Sequence, residues 1–312
     1  MKPFATAFFT PAWFHVTSNM RPSMKHLLAL VTLLLLAPAV GFSETKEIVA
    51  EGAYHMGDGE TPSVAESRAL LQAKRVAVEQ AGTYVESYSK VKHLQLTEDE
   101  IQVLASGLME VTILDKKRSI AGDGFNFSVK IRAIVHPDKM EEMAKRVKEK
   151  SAVADYKKVQ EAYDNSQKEI EVLKRRLAQA KTEQEKTKVE ARITDEERSF
   201  QVNEWLEKGE QAWLNDQTDA AIEAYTKAIG LSPNHAKAYY LRGAAYNAKK
   251  QSEQTILDCQ KACQLGDQDG CYLMETTLKM KMLLEWDPLK APEEFDFNKA
   301  FDKELKKLKQ RN

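Results

Sequence analysis

Apolar and polar residues alternate loosely through KEIVAEGAYHMG, residues 46–57, and predict a strand. GDGE and Thr61-Pro62-Ser63 follow as a turn and a helix start, with Ser63 and Glu66 at capping-box spacing. From Val64 to about Tyr88 the apolar positions Ala69, Leu70, Ala73, Val76, Ala77, Ala81 and Val85 keep helical spacing. Thr97 and Glu100 cap a second, shorter helix that holds Ile101, Val103 and Leu104. Alternation returns in Leu108–Ile120 and Phe125–Val135, and Ala121-Gly122-Asp123-Gly124 between them is a hairpin signal. Strand, helix, helix, strand, strand gives an α+β domain over residues 45–137, its helices on one face of a small antiparallel sheet.

The pattern then changes. Residues 138–200 are nearly free of Gly and Pro and rich in Lys, Glu, Gln and Ala. Tyr156, Val159, Tyr163, Ser166, Ile170, Leu173, Leu177, Ala180 and Gln184 fall at alternating spacings of three and four, a heptad seam strongest from Tyr156 to Ala180. This predicts a long helical linker. A dimeric coiled coil through 156–184 and a solvated single-helix spacer both fit it.

From residue 201 to 287 the chain nearly repeats itself at a distance of 34. Gly209 is matched by Gly243, Trp205 by Tyr239, Ala221 by Thr255, Tyr225 by Cys259 and Ala228 by Ala262. That period, read as paired helices, resembles the tetratricopeptide repeat family. Trp205, Gly209, Ala221, Tyr225, Ala228 and Pro233 occupy its signature positions in a first repeat, and Tyr239, Gly243, Tyr246 and Ala262 in a weaker second, where Asp267 stands for the terminal proline. Cys271–Glu285 looks like the first helix of a third unit, and Phe295–Lys309 like a capping helix within a charged end at 288–312. The resemblance implies an all-α stack whose first helices line a groove for a peptide or partner helix. It places Asn203, Leu206, Glu210, Trp213, Lys237, Tyr240, Ala244 and Asn247 in that groove. The family's carboxylate clamp is incomplete here and is not expected.

KACQLGDQDGC, residues 261–271, is similar to the cysteine-rich solenoid repeats of secreted bacterial proteins. The resemblance implies a disulfide between Cys263 and Cys271 across a tight turn, two buried free thiols being the other reading. Cys259 fills an aromatic signature position and reads as a core thiol. The stretch EGAYHMGDGETPSVAESRALLQAKRVAVEQAGTYVES resembles bacterial envelope lipoproteins and the N-terminal domain of a flagellar outer-ring assembly protein. That likeness implies a structural or assembly part, without the lipoproteins' lipid-bearing cysteine.

Targeting and charge set the setting. Met24–Ser43 carries Lys25, an apolar run Leu27–Leu36 and the small residues Gly41 and Ser43, a signal peptide cleaved near Ser43/Glu44. An uncleaved anchor is the alternative, although the run is short for a span. Met24 is the expected start, with residues 1–23 an upstream extension. The 312-residue chain has 46 basic and 47 acidic residues; removing 1–43 leaves a net of −4, against a nucleic-acid binder.

No catalytic constellation is expected. Of six histidines, His15 and His26 lie in the removed segment, and His55, His93, His136 and His235 are isolated. Three cysteines lack a fourth ligand for a metal site. Gly57-Asp58-Gly59 and Gly122-Asp123-Gly124 are too short for phosphate loops and read as turns. Met280, Met282, Leu283 and Leu284 read as core and cap. The expectation is therefore a periplasmic or envelope-associated scaffold, not an enzyme, without cofactor or metal, and with no membrane insertion after cleavage. Its groove would bind another envelope protein. The alternative is a subunit of an envelope or flagellar ring assembly, oligomerised through the coiled coil.

Overall fold

The computed structural model describes residues 45–122, 124–149, 152–286 and 296–310. The expected signal peptide, its cleavage point, the Met24 start and Asp123 lie outside them.

Strand β1 (Lys46–Met56) begins the fold. Helix α1 (Pro62–Val91) and helix α2 (Glu98–Leu108) follow, then strands β2 (Met109–Ala121) and β3 (Gly124–Val135). The sheet is antiparallel in the order β1-β3-β2, with Ile48 opposite Ala133 and Val111 opposite the same Ala133. β1 and β3 alternate buried and exposed residues, so Ile48, Ala50, Tyr54, Phe127, Val129 and Ile131 face the core. α1 covers that face with a row of alanines, Ala65, Ala69, Ala73, Ala77 and Ala81, all buried. Small side chains bring helix and strand together. A Cβ on Gly52 would lie 2.2 Å from the Ala73 backbone nitrogen, so no larger residue fits there.

The expected Thr97–Glu100 capping box is present: the Thr97 hydroxyl accepts from the Glu100 N–H, and the Glu100 carboxylate accepts from the Thr97 N–H at 2.7 Å. The Ser63–Glu66 box is not. α1 starts earlier than such a box requires, with Thr61 as N-cap and Pro62 in its first turn. Glu66 instead pairs with Lys116 of β2.

A single 3-10 turn (Pro137–Lys139) leads into α3 (Met140–Glu149), then α4 (Ala152–Gln179) and α5 (Glu183–Leu214). The expected linker is thus not one spacer. It breaks after Gln179, and α5 begins with its own capping box of Thr182 and Glu185. α4 and α5 fold back on each other. The heptad seam is filled from within the chain: Tyr163 meets Phe200 with ring centres 5.2 Å apart, and Ile170 and Leu173 are buried against Ile193. The dimer seam expected at Tyr156, Val159, Tyr163, Ile170, Leu173 and Leu177 is a correction in this sense, because its central residues are already covered.

The remaining helices are α6 (Thr218–Leu231), α7 (Ala236–Ala248), α8 (Ser252–Gln264), α9 (Gln268–Glu285) and α10 (Phe297–Gln310). Three-residue connections turn α5 into α6, α7 into α8, and α8 into α9. Each is closed the same way: Gln217 N–H bonds the Ala212 carbonyl, Gln251 the Tyr246 carbonyl, and Asp267 the Ala262 carbonyl. The middle residue is left-handed each time, at Asp216, Lys250 and Gly266. Side chains echo the turns. A Cβ on Gly209 would lie 2.3 Å from the Tyr225 ring, and one on Gly243 would lie 2.6 Å from the Cys259 sulfur. Close helix approach therefore recurs 34 residues apart. Pro233 follows α6, whose C-cap is Ser232.

Cys263 and Cys271 are disulfide-bonded, with Cα atoms 4.6 Å apart, joining α8 to α9; Cys259 is buried and free. Met282 packs with Met274, Leu278 and Leu308. Met280, Leu283 and Leu284, expected as core and cap, are exposed.

Candidate functional site

The predicted groove residues come from the second half of α5 and from α7. Leu206 is buried and Glu210 lines a small cavity with Tyr156, Val159 and Leu214. Tyr156 and Val159 belong to α4. From α7, Lys237 reaches Asp155 of α4 at 2.9 Å. Tyr163 donates to the Glu207 carboxylate at 3.1 Å. The start of α4 therefore lies across the expected groove. This corrects the reading of Glu210 and Lys237 as open to a partner, because the chain's own α4 engages them, while Leu206 is buried in the cluster that α5 forms with α6 and α7.

The electrostatics of the seat follow from burial. Asp155 is 8% exposed, so its charge has little water around it. Burial alone would pull the Lys237 ammonium down, but its bond to Asp155 and that residue's charge raise its pKa overall. The Lys237 ammonium also sits 4.5 Å from the centre of the Tyr240 ring. The Tyr225 hydroxyl is buried here without a hydrogen-bond partner, and burial, with the Glu210 and Asp155 charges, pushes its pKa well up.

The other predicted residues are more open. Asn203 lines a shallow depression with Ser199, Ser232 and His235. Trp213 is half-buried against the first helical pair. Tyr240 and Ala244 are half-buried and Asn247 is exposed. The α7 end of the face is thus the part left to solvent.

A second cluster was not foreseen. Glu60, whose side chain is fully buried, accepts from Tyr54 Oη at 2.5 Å and from the Gly57 N–H at 3.0 Å, and pairs with Lys174 of α4 at 2.7 Å. Arg68, 2% exposed, donates to Ser166 and Gln167 of α4 and lies over the Phe200 ring of α5 at 4.5 Å. Glu197 of α5 accepts from the Thr61 N–H at 2.6 Å. Burial raises the Glu197 pKa, the Thr61 bonds opposing it. These groups clamp the α4–α5 pair onto the sheet domain. The sole sequence signal was the acid directly after Gly57-Asp58-Gly59.

His55 Nδ1 lies 3.0 Å from Asn126 Oδ1 on the neighbouring strand. Among the described residues, no three His, Cys, Asp or Glu side chains converge as metal ligands. No described helix is long and apolar enough to cross a membrane. Burial pushes the Cys259 thiol up to about 12, which suppresses its thiolate. No family model, curated protein or solved structure matches this chain.

Proposed function

We propose that this protein is an exported protein-binding scaffold of the bacterial cell envelope. Its 201–287 region is read as tetratricopeptide-like repeats that recognise a peptide or helix of another envelope protein, with no chemical step. One observation carries this reading: the predicted groove face already holds a helix, α4, seated through Asp155 on Lys237. A face that packs a helix and fixes it with a buried charge pair has the chemistry of helix-in-groove recognition.

The partner then meets what α4 leaves open, the α7 end at Tyr240, Ala244 and Asn247. The Cys263–Cys271 bond supports an oxidising compartment. Assembly through the 156–184 seam is the weaker reading, since Tyr163, Ile170 and Leu173 are buried in the chain itself. The test is photocrosslinking in intact cells, with the crosslinker at Tyr240, Asn247 or Leu206. Envelope adducts at Tyr240 and Asn247 but not at Leu206 are expected. Adducts confined to cytoplasmic proteins would sink the proposal.

A further inference from the structure

β2 is an edge strand, paired with β3 and, among the described residues, with nothing on its other side. Past Ile113 that edge is guarded. A bulge falls between Ile113 and Asp115, and Lys116, Lys117 and Arg118 follow. Bulges and cationic side chains are how soluble sheets discourage a further strand. Met109–Ile113 has neither.

Two cavities adjoin this unguarded stretch. One, of about 290 Å³, has an aliphatic floor of Leu70, Val78, Met109, Val111 and Ile113 and is also lined by Lys74, Arg75 and Glu207. The other, of about 390 Å³, is bordered by His136, Lys139, Lys208 and Lys227, with the acids Glu110 and Glu223. They share Ser106, Met109, Lys208 and Gln211, so they are lobes of one cleft. In the second lobe the Lys208 and Lys227 ammoniums stand 4.3 and 4.4 Å from the centre of the Trp205 ring. Their carboxylate partners, Glu204 and Glu223, are neighbours one helical turn away; the Lys227–Glu223 pair is exposed and holds its lysine weakly, while the Lys208–Glu204 pair is half-buried. Lys139 has no ion pair among the described residues. The His136 Nε2 atom is buried without a hydrogen bond, the Glu110 carboxylate standing 3.4 Å off.

We propose that the Met109–Ile113 edge accepts an extended peptide from a partner protein as an added strand. An apolar side chain of that peptide enters the aliphatic lobe, and an acidic one enters the lysine lobe. Side chains two apart on a strand point the same way, at ~7 Å separation, and two adjoining lobes take one each. The surface is separate from the α7 face, so failure at Tyr240 leaves it standing.

The test uses the full chain and fluorescent nine-residue Ser/Thr peptides carrying Leu-x-Asp or Asp-x-Leu. Binding is read by anisotropy and mapped by hydrogen exchange. One of the two orders is expected to bind and to protect amides of 109–113. Affinity should fall at least tenfold in the Lys139→Glu/Lys227→Glu double variant and in Ile113→Asp, and stay within twofold in Lys116→Glu, beyond the bulge. All four residues are partly or fully exposed, and circular dichroism checks that each variant folds. Absence of binding by both peptides at millimolar concentration, equal binding after Asp→Lys in the peptide, or protection on α7 instead of β2 would each overturn it.

Discussion

Gly209 and Gly243 bring two helix pairs together at equivalent points, against Tyr225 and Cys259. Gly209→Ala drives a methyl into an aromatic ring and should cost about 2–3 kcal/mol in urea unfolding. Gly243→Ala meets a smaller obstacle. Its cost should shrink in a Cys259→Ala background, a non-additivity that a double-mutant cycle reads directly. His235 Nδ1 accepts from the Ala238 N–H at the start of α7, and burial lowers its pKa below the usual 6.5. Below 6.5 the unfolded chain binds the proton more readily than the folded one, so stability falls as pH drops through that value. His235→Asn keeps an N-cap acceptor and should flatten this part of the pH–stability curve. The glycines were legible because a small residue recurring at a 34-residue period, with a bulky one recurring beside it, marks where paired helices must come close. Arg68 was not. Nothing near it in sequence signals burial, and its partners Ser166, Gln167 and Phe200 lie about a hundred residues or more away.

Helices and strands were easier to place than what covers them. The capping box at Thr97 and the hairpin around Gly122 depend on local hydrogen bonds, which short stretches of sequence dictate. The α4 stripe was readable for the same reason, but a heptad seam reports only that an apolar face exists. Whether a second chain or α5 fills it depends on tertiary packing. The same blindness put Lys237 in an open groove. Lys237→Ala removes the cation beside a buried Asp155 and should destabilise by about 3 kcal/mol. Adding Asp155→Asn should recover part of that loss, as measured by thermal or urea unfolding. The α8–α9 turn gives a further test. Reducing Cys263–Cys271, eight residues apart, should cost about 2.5 kcal/mol on the chain-entropy account. Cys259 should resist alkylation until the chain unfolds.

Among the described residues, the sheet, the helical pair and the C-terminal helices form one compact unit. Divisions at 137/138 and 200/201, reasonable from composition, therefore cut through packed surfaces. A fragment 201–310 loses Asp155 and Tyr163 from its face and should melt well below a fragment 152–310, a difference that calorimetry detects. The intact chain should elute as a monomer in light scattering, its seam being occupied. One helix explains why the parts hold together. α5 carries Glu197 and Phe200 of the clamp at its middle and Leu206 and Gly209 of the first helical pair toward its C-terminal end. Its 32 residues run ~48 Å at 1.5 Å each. A pull between a molecule held at β2 and one held at α7 would load this rod and its clamp, with no slack to take up. The protein would then act as a caliper, holding two neighbours at a set gap.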